Sequence, residues 1–120
     1  MTLRKAALVT VLTLSASQAF AAGECFLEVD GRVFMNGVCS IAVRPGGSFE
    51  MRDSLKPMRH VAVVKIDPAD GTARATWNEQ PRASRARSDL GSVVRQGGCW
   101  VNARARVCAW QPGTRPRDFQ

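Results

Sequence analysis

Residues 25–39 have the sequence CFLEVDGRVFMNGVC, in which two turn dipeptides separate short runs of β-prone residues. The Asp-Gly pair at 30–31 and the Asn-Gly pair at 36–37 are both typical of two-residue hairpin turns, because the central positions of such turns need a positive φ. The segment therefore predicts a meander of three antiparallel strands, with residues 38–43 as the third strand.

In the rest of the chain, short β-prone runs also alternate with turn residues. Residues 60–66 are the most β-prone run and predict a central strand. Residues 72–77 alternate between small or aromatic and polar side chains, which predicts a half-buried strand. Further strands are predicted at 48–52, 90–95 and 99–110, the last folded into a hairpin by a turn at 102–105. We expect an all-β fold, either a small antiparallel β-sandwich or a barrel, of about six to eight strands and stapled by disulfides.

The N-terminal segment has the features of a secretory signal peptide. Arg4 and Lys5 form a short basic region, and the apolar run at 6–14 is too short to remain as a transmembrane helix. Ala19 and Ala21 then place small residues where a signal peptidase requires them. The predicted organisation is a signal peptide at 1–21, a single β-rich domain at 22–111 and a polar, frayed C-terminal tail at 112–120. We expect an exported protein, periplasmic or secreted, without a membrane span after cleavage.

All four cysteines lie beyond the predicted cleavage site, and an even count in an oxidising compartment predicts disulfides. Thirteen residues separate Cys25 from Cys39 and eight separate Cys99 from Cys108. Zinc sites use closer cysteine pairs helped by histidine, and His60 is the only histidine of the chain. Local pairing within each couple is favoured, because a short hairpin would place the second couple face to face, but long-range pairing stays open.

Positive charge is concentrated in the second half of the protein. Residues 22–71 contain six basic and seven acidic side chains, whereas residues 72–120 contain nine arginines and three acids. Residues 78–89 have no periodicity and predict a mobile basic loop. The asymmetry predicts an anionic partner. The alternative is a compositional bias, since arginine outnumbers lysine thirteen to two after residue 21, as a GC-rich genome would produce.

No catalytic or cofactor-binding constellation is legible in the sequence. A triad would depend on His60, which stands at the start of an apolar strand and is interpreted as structural. The chain has no HExxH, phosphate loop or GxSxG motif, and its acids lie mostly in turns. We expect no enzymatic activity, no cofactor and no metal site.

Tryptophans in a domain this small are expected to form mostly core. An exposed tryptophan beside the basic loop would instead make a stacking or cation–π surface for a sugar or an anionic partner. The candidate binding residues are accordingly Arg82, Arg85, Arg87, Trp77 and Trp100.

Several sequence blocks resemble a group of short exported proteins of Gram-negative bacteria. The blocks are CxLxVxG at 25–31, NGxC at 36–39, GCWVN at 98–102 and VCAW at 107–110. The resemblance covers most of the chain after residue 21 and implies a disulfide-bonded periplasmic domain without catalytic residues. More loosely, the architecture is similar to the periplasmic inhibitors of c-type lysozyme, which are small exported β-barrels. Those inhibitors carry loop motifs containing tyrosine, and this chain has none, so no inhibitory residue is transferred.

Three functions follow from these features. The first is a non-enzymatic envelope binding protein, in its most specific form an inhibitor of a lysozyme-like hydrolase. The second is a polyanion-binding protein that uses the arginine-rich half, and the third is a structural envelope protein without a ligand. The expected partner is an envelope or host protein or an anionic polymer, and no nucleic acid is expected in the native compartment.

Overall fold

Eight antiparallel strands close into a barrel in the computed structural model, which describes residues 19–54 and 59–119. Each strand pairs with its neighbours in chain order, and the last strand pairs with the first. The strands are β1 (Ala21–Val29), β2 (Arg32–Val43), β3 (Phe49–Asp53), β4 (Val61–Ile66), β5 (Ala73–Trp77), β6 (Ser88–Gln96), β7 (Cys99–Val101) and β8 (Ala105–Trp110). The predicted all-β, disulfide-bonded fold is confirmed, and of the two expected architectures the barrel is the one formed.

The N-terminal part of the predicted signal peptide, residues 1–18, lies outside the described residues. The first described residues, Ala19 and Phe20, are irregular, and β1 begins at Ala21. No helix within 19–54 or 59–119 is long and apolar enough to cross a membrane.

Side chains fill the middle of the barrel. The predicted alternation of β5 is present, with Ala73, Ala75 and Trp77 buried and Arg74 exposed. Leu27, Met51, Val64 and Val107 are completely buried in the same core. An eight-stranded barrel has an interior just wide enough for such packing, so free space for a ligand is left at the ends and on the outer faces.

The expected three-strand meander at residues 25–43 is wrong, because the Asn-Gly pair at 36–37 is not a turn. β2 continues through it, and Asn36 and Gly37 pair with Phe26 and Cys25 of β1. Only the first hairpin forms as predicted, with positive φ at Asp30 and Gly31. Continuous pairing satisfies backbone groups that a second turn would have taken out of the ladder.

Both locally predicted disulfides are present, and they lie on opposite sides of the barrel wall. Cys25 and Cys39 join β1 to β2 among the core side chains. Cys99 and Cys108 are directly opposed on β7 and β8 with their Cα atoms 4.0 Å apart, and they belong to a second cluster.

The C-terminal tail is not frayed as expected, because its penultimate residue packs against the barrel. The ring of Phe119 lies 5.0 Å from that of Phe26 and 4.7 Å from that of Trp110, both in edge-on geometry. These three rings form the outer aromatic cluster, and the Cys99–Cys108 bridge belongs to it. The apolar surface that these rings bury outside the main core stabilises the folded-back position of the tail.

Strand direction gives the barrel two different ends. The turns β2–β3, β4–β5 and β6–β7 lie at one end, which we call the cavity end. The turns β1–β2, β5–β6 and β7–β8 lie at the other, which we call the loop end. At the loop end, two hydrogen bonds connect the β7–β8 turn to its neighbours. Arg104 Nε donates to Asp30 Oδ1 in the β1–β2 turn at 3.0 Å, and Asn102 Nδ2 donates to the Leu90 carbonyl of β6 at 2.8 Å.

Candidate functional site

The loop that follows β5 is shaped by one buried side chain, Asn78, which is only 2 % exposed. Its Oδ1 accepts a hydrogen bond from the Val61 amide at 2.5 Å. Its Nδ2 donates to the carbonyls of Arg59 and Ala83, both at 2.7 Å. A buried amide with three partners holds residues on three segments together, so the loop at 78–87 has a fixed origin and a fixed midpoint.

The second half of this loop lies beside the outer faces of β3, β4 and β5. Between them is a depression of about 470 Å³, which we call the basic groove. Its charged lining residues are Arg44, Glu50, Arg52, Lys65, Arg74, Arg85 and Arg87. Six cations and one carboxylate give the lining a formal charge of +5 (6 − 1).

The barrel register brings cations together across strands. Lys65 of β4 and Arg74 of β5 are direct cross-strand partners, and both are exposed. Like charges in directly opposed positions destabilise a sheet. Asp89 is an acidic partner for Arg74 of this pair, whereas Lys65 has none in the described residues.

Only part of the positive charge in the groove is neutralised by the protein. Glu50 lies 3.5 Å from Arg52, and Asp89 accepts a hydrogen bond from Arg74 at 2.5 Å. In the described part of the chain, Lys65, Arg85 and Arg87 have no carboxylate within 4.0 Å. Charge is thus left available to a ligand.

Two further observations define the electrostatics of this face. The hydrogen bond from Arg74, helped by the amide of Gly91, lowers the pKa of Asp89, so this carboxylate stays ionised and committed to Arg74. The Nε of Arg52 is buried and has no hydrogen-bond partner among residues 19–54 and 59–119. Ordered water usually satisfies a buried donor of this kind, so it does not by itself mark a ligand site.

The three predicted loop arginines share one surface, but the two predicted tryptophans do not join it. Arg82, Arg85 and Arg87 all line a depression formed by the loop itself, and Arg85 and Arg87 also line the basic groove. Trp77 is 4 % exposed and packs in the core, and Trp100 is half-buried at the cavity end. Trp77 has the core position that was expected of most tryptophans, and the alternative, a stacking surface beside the basic loop, is not formed by Trp77 or Trp100.

Sequence reasoning missed the strand residues of the groove, Lys65 and Arg74 above all. The signal was present in the turn at 67–72, whose Asp-Pro and Asp-Gly pairs predict a hairpin between the two strands. Counting outward from that turn places residue 65 opposite residue 74, which is the observed pairing. The fold-back of the loop onto the same face has no comparable sequence signal.

His60 has a structural environment. Its ring stacks on Trp77 with centroids 5.5 Å apart, and its Nδ1 lies 3.1 Å from the Asn78 carbonyl oxygen. Phe34 packs edge-on against both rings. No cluster of three or more His, Cys, Asp or Glu residues that could hold a metal ion occurs in the described segments.

Fold and site together define a disulfide-bonded, eight-stranded antiparallel barrel with a cationic groove on its outer face, and its two disulfides indicate an oxidising, exported compartment. No family model, no curated protein and no solved structure matches this chain.

Proposed function

We propose that this protein is a non-enzymatic, exported binding protein that holds an anionic polymer in the basic groove. The observation that carries the proposal is the concentration of six cations on one face of the barrel, where the two carboxylates, Glu50 and Asp89, are already paired with Arg52 and Arg74. Three of those cations, Lys65, Arg85 and Arg87, have no acidic partner in the described segments.

The distribution of the cations favours a polymer over a small anion. They come from the β2–β3 turn, from β3, β4 and β5 and from the β5–β6 loop, so they are spread over a face. A small anion is held by donors that converge on one point, whereas a chain of repeated acids meets several separate cations at once. Each exposed pair contributes about 0.2–1 kcal/mol, so useful affinity needs several of them.

The predicted processing site bears on the same groove. The Phe20 ring centroid lies 4.9 Å from the Arg52 guanidinium carbon. Cleavage after Ala21 would remove Phe20 and leave this face of Arg52 open to a ligand. Export to the periplasm or beyond, which the proposal requires, also makes envelope polysaccharide a more accessible polyanion than nucleic acid.

The test is binding of labelled dextran sulfate to the purified, disulfide-bonded protein, with uncharged dextran as the ligand control. The double variant Arg85→Gln/Arg87→Gln removes two groove cations, and we expect about fivefold weaker binding from two lost exposed pairs. The matched control is Arg32→Gln/Arg117→Gln, which removes the same charge from exposed positions outside the groove. We expect it to change affinity less than twofold.

Three results would overturn the proposal. They are equal losses in the two double variants, binding that raised salt leaves unchanged, and equal affinity for uncharged dextran. Inhibition of a lysozyme-like hydrolase stays a prediction from the sequence. Lysozymes are usually basic, so long-range charge opposes that encounter. Undiminished lysozyme activity at micromolar protein would remove it.

A further inference from the structure

A second cavity, of about 530 Å³, lies at the cavity end of the barrel. It shares no lining residue with the basic groove. Its volume falls in the range of about 300–1,000 Å³ that is usual for small-molecule sites. The mouth of a filled barrel is one of the places where such sites form, because the core stops below the turns.

The cavity walls are mostly apolar. Ile41, Phe49, Ile66 and Trp100 contribute partly or fully buried side chains that also pack on the core. Trp110 forms part of the wall, and its indole lies directly against Gly98, where an added Cβ would collide with the ring. An apolar wall that remains open to solvent favours an apolar guest.

Among these lining residues there is one charged side chain, and cleavage after Ala21 would add the α-amino group of Ala22 to the lining. Arg95 lines the cavity, and none of the other lining residues is charged. Its Nε donates to the Gly97 carbonyl at 3.1 Å, which holds the guanidinium near the β6–β7 turn. No carboxylate lies within 4.0 Å of it in the ranges that the structure describes. The cavity therefore combines an apolar interior with an available cationic side chain.

We propose that this cavity binds a linear amphiphile with an anionic head group, such as a fatty-acid carboxylate. The hydrocarbon chain lies against Phe49, Ile66 and Trp100, and the head group is held by Arg95. The planar guanidinium suits a carboxylate, with which it forms two parallel hydrogen bonds. This site is independent of the basic groove and of the polymer proposed there.

The test uses the tryptophan fluorescence of the full disulfide-bonded chain, titrated with dodecanoate below its micelle concentration. Dodecanol and dodecyltrimethylammonium have the same chain with a neutral and a cationic head group. We expect saturable binding of dodecanoate, with weaker binding of dodecanol and weakest binding of the cation. Trp100→Phe should reduce the fluorescence change by at least half.

Arg95→Gln keeps the apolar wall and removes the head-group contact. We expect it to weaken dodecanoate binding about fivefold and to leave dodecanol binding unchanged. Arg82→Gln is the matched control, because it removes one arginine at the opposite end, and it should change neither. The proposal is overturned by an unsaturable response to dodecanoate, by equal effects of the two arginine variants, or by a cationic amphiphile that binds as tightly as dodecanoate. The groove variant Arg85→Gln/Arg87→Gln should bind dodecanoate with unaltered affinity, which would show that the cavity and the basic groove act independently.

Discussion

Replacing Asn78 by alanine tests whether one buried amide organises the loop that borders the basic groove. The substitution removes three hydrogen bonds, from the Val61 amide and to the carbonyls of Arg59 and Ala83. Each bond contributes about 1 kcal/mol net, and its loss leaves a backbone group without its partner. We therefore expect the free energy of unfolding to fall by about 3 kcal/mol, which lowers the Tm of a domain this size by about 10–20 °C.

The measurement is urea unfolding followed by tryptophan fluorescence, with the linear extrapolation to water. Asn36→Ala is the control, because Asn36 is exposed on β2. Its unfolding free energy should stay within about 0.5 kcal/mol of the parent. Dextran sulfate binding should also weaken in Asn78→Ala, since the loop then no longer has a fixed position beside β4 and β5.

Equal stability of the two asparagine variants would refute the reasoning. It would mean that the loop is not held by Asn78, or that water replaces the amide without loss. A loss of stability with unchanged dextran sulfate binding would separate the two roles, and it would show that the loop arginines reach the ligand without a fixed anchor.

Two further predictions concern the tail and the loop end. Phe119→Ala should lower the unfolding free energy by about 1–2 kcal/mol in the same urea experiment. This is less than the loss for a fully buried phenylalanine, because Phe119 is half-buried against Phe26 and Trp110. A change below about 0.3 kcal/mol would mean that the tail does not stay packed on the barrel. The hydrogen bond from Arg104 lowers the pKa of Asp30, so the stability from this pair is present above the unfolded pKa and is lost as the pH falls through the lower folded value. Unfolding free energies between about pH 5 and pH 2 should thus fall less steeply in Asp30→Asn than in the parent, and parallel curves would contradict this role.

The sequence pattern predicted the structure correctly where the structure depends on residues that are close together in the chain. The alternation at 72–77 predicted β5, and the short hairpin expected between Cys99 and Cys108 predicted their bridge. In each case the period of the side chains, the residues of the turn or the number of residues between the cysteines allows only one local arrangement.

The predictions that failed concern residues whose conformation is set by contacts with segments distant in the chain. The Asn-Gly pair at 36–37 is a strong turn signal, but pairing with β1 keeps it within a long strand. The tail composition is polar, but one aromatic ring, Phe119, finds two others on the barrel surface. The basic groove combines residues from both halves of the chain, so charge counting by halves located the arginine-rich loop without the strand cations opposite it.

Closure of the barrel has a consequence for how any partner is recognised. Every one of the eight strands already has a hydrogen-bonded neighbour on both sides. No described strand has a whole side without a partner, so addition of a foreign strand along a complete sheet edge is not available as a binding mode. Recognition over most of the barrel surface is then left to side chains that project from strands already paired. Substitutions on the outer face of β3–β5 can therefore change what is bound while the backbone ladder beneath them stays the same.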